Sequence, residues 1–380
     1  MIAPLYVPYV GGAETHTRAL AEALVETGQR VSLLTDRGHR HIPHTESVNG
    51  VRVIRTTTLG LGRQDLRDAV GWEEGIFSLL SEIARVIDDA AIGIPDIIHA
   101  QCQVSFLLGA VLKEHLGCRL VVTPHETQPE RDGLGAARSR FLFNLPQIDL
   151  LIAGSETFAR QAIEYGRSEL TTAVVESSIR PWISAPPRKA RVPGQRSRIL
   201  SIGRFKPRKN QLVLLDAIAQ LRAEGRAVSC TFVGACDAAS VAYRDELDAG
   251  CRKTGGYAVL VESASDAELQ RLIEAADLVV QPALAEGLGL AAIEALAAGK
   301  TVLATPTSGA VEVLGEFPML LTRGWEVSHL AGAISDALDR PGQYAIAAAQ
   351  AAEAVRARFG SRANAVRMLT LYRDLVGEKA

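Results

Sequence analysis

Short apolar runs rich in Val, Ile and Leu alternate with stretches whose apolar residues recur at helical spacing, and this alternation passes along the chain twice. Few architectures accept such a pattern. Strands joined through helices must lie parallel, with helices covering the faces of the sheet. In the first round, strands are expected at 1–7, 30–35, 50–55, 95–100, 119–123 and 149–153. A helix carrying Leu20, Ala21, Leu24 and Val25 closes at Gly28, a polar loop covers 36–50, and further helices cover 76–90, 105–116 and the residues after Ser155. In the second round, strands are expected at 198–202, 229–233, 258–261, 277–281, 301–304 and 319–321. Helices fall at 210–223, 240–253, 266–275, 290–298 and 326–339. Four prolines and several basic residues mark 180–198 as a break between the rounds. The expected organisation is therefore a first α/β domain over 1–179, a linker over 180–197 and a second domain over 198–355. A closing helical stretch, interrupted near Phe359-Gly360, gives a last segment, 356–380, expected to return to the first domain. Both domains read as Rossmann-like, facing across a cleft.

Composition limits the function. With 380 residues the chain is long enough for two cores, and a net charge of -2 argues against a nucleic-acid binder driven by a basic surface. No apolar run is long enough to span a bilayer, and Met1 leads directly into Ile-Ala-Pro-Leu-Tyr without a secretory leader. The five cysteines form no Cys-x-x-Cys pair and read as reduced thiols, so a cytoplasmic location is expected. Arg131, Arg138 and Arg140 beside Phe141, Leu142 and Phe143 read as a solvated amphipathic face, which does not support membrane association. His39, His41 and His44 imitate metal-ligand spacing but lie in a polar loop, and no metal site is assigned to them.

Three short stretches carry chemistry. Glu286-Gly287-Leu288-Gly289-Leu290 joins an apolar strand to a helix that contains Glu294. Unpaired N–H groups at such a turn attract anions, while the two carboxylates suit hydroxyl groups on either side of a phosphate. Gly203-Arg204 and Lys209 follow another strand end, placing a forked cation and a point cation on one loop. Gly11-Gly12-Ala13-Glu14 follows the first strand, without the spacing of a dinucleotide-binding glycine fingerprint.

Together these stretches resemble the retaining glycosyltransferases of family 4, which have the GT-B fold. Asp96-Ile-Ile-His99, Thr123-Pro-His125-Glu126, Phe232-Val233-Gly234, Thr305 with Gly309 and Glu312, and the helices from Phe359 to Tyr372 extend the resemblance along nearly the whole chain. The resemblance implies transfer of a sugar from a nucleotide-diphosphate sugar to a small-molecule, glycan or lipid-linked acceptor, with no cofactor and no metal. It assigns the nucleotide diphosphate to Arg204 and Lys209, with Gly203, and to the N–H groups of Leu288, Gly289 and Leu290 beside Gly287. Glu286 is assigned to the transferred sugar and Glu294 to the ribose. Gly11 and Gly12 let the first-domain backbone close on the donor, and His125 lies beside the sugar. Val261 and Glu262 fall where the nucleobase is expected. Glu14, His16 and His99 are acceptor candidates, His99 also reading as structural. The chain departs from the family pattern at Glu176-Ser177-Ser178-Ile179 and at Glu262-Ser263-Ala264. A nucleotide-sugar epimerase of the same fold and a non-catalytic nucleotide-sugar binder remain as alternatives.

Overall fold

The computed structural model describes residues 1–9, 11–37, 41–56, 81, 84, 93–125, 134–180, 196–237 and 240–377. The chain divides into two compact units, Met1–Ser178 with Ser361–Ala380, and Ile179–Gly360. The second change of unit falls at Gly360, where one helix (Pro341–Phe359) ends and the next (Ser361–Val376) begins, rather than at 356.

The first unit holds a sheet of β1 (Ile2–Ala3), β2 (Ser32–Asp36), β3 (Thr45–Val48), β4 (Val51–Thr56), β5 (Ile97–Gln101), β6 (Arg119–Thr123), β7 (Leu150–Ala153) and β8 (Thr172–Val174). The spatial order is β3-β4-β2-β1-β5-β6-β7-β8, parallel throughout except between β3 and β4. Strand order reverses between β1 and β5, the switch point at which open α/β sheets present ligand sites beyond their carboxyl ends.

Three local readings change. β1 is two residues rather than the expected 1–7, because Pro4 and Pro8 remove ladder donors. The polar loop expected at 36–50 contains β3, a polar edge strand. Its turn, Asn49-Gly50, has both residues at positive φ, the hairpin geometry that Asn-Gly favours. β8 was not expected, being a three-residue edge strand. The helix expected at 76–90 lies mostly outside the described residues.

Helix Gly12–Glu26 packs Leu20, Ala23 and Leu24 with Ala365, Met368 and Leu369 of helix Ser361–Val376. Asn364, fully buried, donates from Nδ2 to the carbonyl of Glu176 at 2.7 Å, anchoring that last helix to the first unit.

In the second unit, β9 (Ser197–Ile202), β10 (Val228–Gly234), β11 (Ala258–Glu262), β12 (Leu278–Gln281) and β13 (Val302–Ala304) form a parallel sheet ordered β11-β10-β9-β12-β13. Its switch point lies between β9 and β12. The strand expected at 319–321 is instead a single 3-10 turn, Pro318–Leu320, with Leu321 making one bridge to Ala304. Pro318 begins this turn, where its fixed φ is accommodated. Helix Ser308–Leu314 is not among the expected helices, and Thr307 caps it by accepting the N–H of Ala310 at 3.2 Å. No helix among the described residues is long and apolar enough to cross a membrane.

Candidate functional site

The second unit gathers charge at its switch point. After β9 the chain turns through Gly203, exposed Arg204, and Phe205, which is fully buried. Burial of that ring, a contribution of roughly 1.5–3 kcal/mol for a side chain of this kind, pins the loop between two basic residues. A 3-10 turn, Pro207–Lys209, and Asn210 at φ 59 then lead into helix Gln211–Ala223. Buried Gln211 donates from Nε2 to the carbonyl of Arg204 at 3.1 Å, holding the loop from behind. A Cβ at Gly234, the last residue of β10, would meet the carbonyl of Gly203, so this close approach of strand to loop requires glycine.

After β12 a second loop, 282–289, is stitched to the first. The N–H of Leu284 donates to the carbonyl of Arg208 at 2.8 Å, and Arg208 Nη1 donates to the carbonyl of Ala285 at 3.1 Å. Gly309 approaches so closely that a Cβ there would strike the backbone of Gly287 and Leu288. Gly289, at φ 79, precedes helix Leu290–Ala297, whose first N–H groups have no intrahelical partners.

Glu286 is the centre of this arrangement. Its Oε1 accepts from Lys209 Nζ in a short ion pair and from Gln281 Nε2 at 3.1 Å, while Arg208 Nη1 lies 3.6 Å from Oε2. Glu286 is 9% exposed, so these partners, more than water, hold its charge. Burial holds the Lys209 ammonium below its ordinary pKa, and the Glu286 carboxylate opposes that effect. Gly203, Arg204, Lys209, Glu286, Gly287, Leu288, Gly289 and Leu290 thus share two adjoining loops in the second unit. A cation set, a helix start and a carboxylate together suit an anion joined to a polyol.

Glu294, on the following helix, is 3% exposed and accepts from the backbone and side chain of Arg180. Val261 and Glu262 end β11, which β10 and β9 separate from β12. The Glu262 carboxylate accepts from Arg244 Nη1 at 3.0 Å. Ser263 makes the turn after β11 at φ 60, and its N–H donates to the carbonyl of Gly234 at 2.8 Å.

The first unit brings His16, His99 and His125 together. Gly11 precedes helix Gly12–Glu26 in extended conformation, with Glu14 in the first turn. His16 is not on the outer face of that helix but 1% exposed, and its Nδ1 accepts the N–H of Ser178 at 2.8 Å. The proton of the neutral ring therefore sits on Nε2. His99 is engaged at both nitrogens, by Tyr372 Oη at 2.5 Å and Thr123 Oγ1 at 2.7 Å, which accounts for it structurally. His125, partly buried, contacts Gln101 Oε1 through Nε2 at 2.7 Å, and its ring centroid lies 4.9 Å from that of His16. Cys102, next in the chain after Gln101, holds φ 66, a conformation costly for a residue other than glycine. Among the described residues no group of three or more His, Cys, Asp or Glu is placed to hold a metal ion. His44 is taken up by Arg37 and by the carbonyl of Arg55.

Burial depresses all three histidines. His16 falls from 6.5 to about 4, and His99 and His125 fall well below their ordinary value, with neighbouring histidines adding to the effect. Between pH 6.5 and 4 the unfolded chain takes up protons that the folded unit refuses. Their stabilising contribution is therefore full above 6.5 and is lost as pH falls, by about 3 kcal/mol for His16 alone. Melting temperature should drop steeply from pH 7.5 to 4.5. His16→Asn, which keeps an acceptor for the Ser178 N–H without a titrating ring, should flatten that drop; parallel curves would contradict the assignment.

Sequence reading missed Gln101, Gln281, Arg208 and Arg180. The two glutamines had a signal, since each is the polar last residue of a buried strand at a switch point. Arg180 had none, standing among other basic residues in the proline-rich break.

Known proteins agree with this layout. The family model described as glycosyl transferases group 1 matches residues 185–357, and the glycosyl transferase 4-like domain matches residues 11–176. D-Inositol 3-phosphate glycosyltransferase of Thermobispora bispora is 29% identical, with 96% of this chain and 90% of that protein aligned. Sucrose-phosphate synthase from Thermosynechococcus elongatus superposes with a TM-score of 0.80 at 22% identity, over 100% of both chains. Anabaena HepE in complex with UDP-glucose superposes with a TM-score of 0.74 at 21% identity, over 97% of this chain and 99% of that one. The fold is GT-B, and the chain belongs to the group 1 glycosyltransferases of the family 4 type.

Proposed function

We propose that this glycosyltransferase takes its sugar from a nucleotide-diphosphate donor bound by the second unit and transfers it, with retention of anomeric configuration, to a hydroxylated acceptor assigned to the first unit. The observation that carries the reading is the pair of joined loops holding Arg204, Lys209, Glu286 and the start of helix Leu290–Ala297. Arg204, Lys209 and the N–H groups around Leu288 meet the diphosphate, so its charge is balanced by side chains and a helix start without a metal ion. On donor binding Lys209 is shared between Glu286 and phosphate, leaving Glu286 to accept from sugar hydroxyls. Glu294 accepts from the ribose. His125, neutral and in contact with Gln101 through Nε2, is assigned to the side of the sugar.

In the transfer step the anomeric C–O bond to the diphosphate breaks and its electron pair leaves with the phosphate. The acceptor oxygen bonds to the same carbon from the same face, and its proton passes to a diphosphate oxygen. Catalysis then rests on positioning and on stabilising the leaving charge.

The test is a transfer assay with UDP-, GDP-, ADP- and TDP-sugars. D-Inositol 3-phosphate is the first acceptor to try, because the relative from Thermobispora bispora is named for it. The expected result is a glycoside of the donor's own anomeric configuration, formed equally in the presence of EDTA. An inverted product overturns retention, and activity lost to EDTA and restored by magnesium overturns metal independence. Donor epimerised without an acceptor overturns transfer in favour of an epimerase.

A further inference from the structure

Glu294 meets one residue at both carboxylate oxygens. The backbone N–H of Arg180 donates to Oε1 at 3.3 Å, and Nη1 of the same residue donates to Oε2 at 2.9 Å. Arg180 Nε also lies 3.6 Å from Asp266 Oδ1, in the first turn of helix Asp266–Ala275. The arginine side chain is itself only 12% exposed. Its backbone is fixed from the residue before: Ile179 sits in the core of the second unit, and its N–H donates to the carbonyl of Phe359 at 3.0 Å. Arg180 therefore reaches Glu294 from an anchored chain, with guanidinium and amide acting together.

A carboxylate offers about four acceptor positions, so two remain on Glu294 after Arg180 is satisfied. A buried carboxylate without a cation tends to hold its proton and to turn freely between rotamers. Burial does push the Glu294 carboxyl above its ordinary value and Asp266 adds to that, while the charge and backbone N–H of Arg180 oppose both. Arg356, on helix Pro341–Phe359 packed alongside, turns its Nε to the carbonyl of Ala297 at 2.8 Å.

We infer that Arg180 is a positioning residue for nucleoside recognition, fixing the Glu294 carboxylate so that its remaining lone pairs accept the two ribose hydroxyls of a nucleoside diphosphate. The inference rests on the assignment of Glu294 to the ribose. It adds to that site a residue that touches no substrate and acts through the carboxylate alone.

The test titrates whichever of UDP, GDP and ADP binds the wild-type chain most tightly, by calorimetry at pH 6.0, 7.0 and 8.5. Wild type is compared with Arg180→Met, Arg180→Lys and Glu294→Gln, and affinities are read as variant-to-wild-type ratios so that ionisation of the nucleotide cancels. Arg180→Met should weaken binding 10- to 100-fold at pH 6.0, with the ratio recovering towards one at pH 8.5 as the unpaired Glu294 ionises. Arg180→Lys should lose less than tenfold, with a ratio that does not vary with pH; it carries the test if the methionine variant does not fold. A ratio near one for Arg180→Met at every pH overturns the inference, and so does an equal loss at every pH, which a packing role alone explains. In either case a weakened Glu294→Gln leaves the ribose assignment standing. Wild-type affinity in Glu294→Gln removes the ribose assignment itself.

Discussion

Glu286→Ala is expected to lower kcat/KM for transfer by about two to three orders of magnitude while the chain remains folded. In the resting site this carboxylate accepts from Lys209 and Gln281 and lies near Arg208. Its removal deletes the acceptor assigned to the sugar hydroxyls. It also leaves the buried Lys209 ammonium without its counter-charge, an arrangement that costs several kcal/mol unless the lysine moves or deprotonates. Loss of one preorganised polar contact in a transition state is worth about 3–4 kcal/mol, hence the size of the effect. Glu286→Gln separates the contributions. It keeps the shape and an acceptor but loses the charge, so it should fall between wild type and alanine. Steady-state kinetics on all three chains, with melting curves to check folding, is the measurement. Wild-type turnover by Glu286→Ala removes Glu286 from the site.

Lys209→Ala is expected to have a comparable effect by a different route. A diphosphate leaving group gains charge as the glycosidic bond breaks. A cation about 4 Å away contributes about 4 kcal/mol at an effective dielectric near 20. Arg204 remains on the same loop and Arg208 lies 3.6 Å from Glu286, so part of the positive field survives. The expected loss is therefore about 100- to 1,000-fold in kcat, with a smaller change in the donor KM. Lys209→Arg should recover little, because a planar fork does not fit the ion pair that the ammonium makes in a space only 12% exposed. A loss confined to donor KM and free nucleotide affinity, with kcat unchanged, would show that Lys209 binds ground and transition states alike, contrary to its proposed part in leaving-group stabilisation.

The sequence showed most of the fold because its signals were local. Apolar runs such as Leu278-Val279-Val280 and the helical spacing after them are set by burial on a sheet covered on both faces. What it hid depended on pairing and turn chemistry that apolar patterning does not record. β3 is polar enough to read as loop and is a strand because β4 pairs with it, although Asn49-Gly50 announced the turn. The segment at 319–321 is apolar enough to read as a strand, yet Pro318 starts a 3-10 turn there. Within the candidate site, Arg204, Lys209 and Glu286 were legible because each stands beside a glycine-marked strand end. Their mutual pairing was not, because spacing along the chain says nothing of which cation a carboxylate meets. His16 lay beyond sequence reasoning for the same reason. Position on the helix allowed a solvent-facing ring, and only tertiary packing buries it against Ser178 and His125. Arg180 is the furthest case, since nothing near it in sequence marks a partner at Glu294.

The central claim is that the loops after β9 and β12 hold the diphosphate of a nucleotide sugar. Its most direct test is a melting-temperature titration of the wild-type and Lys209→Ala chains with UDP-, GDP-, ADP- and TDP-sugars, since a ligand that binds only the folded chain raises its stability. At 100 times its Kd such a ligand adds about 2.7 kcal/mol, enough to move the melt by several degrees. The account predicts that one nucleotide class raises the melting temperature of the wild-type chain and raises that of Lys209→Ala by a smaller amount at the same concentration. A shift of equal size in both chains, or no shift with any of the four, would contradict it.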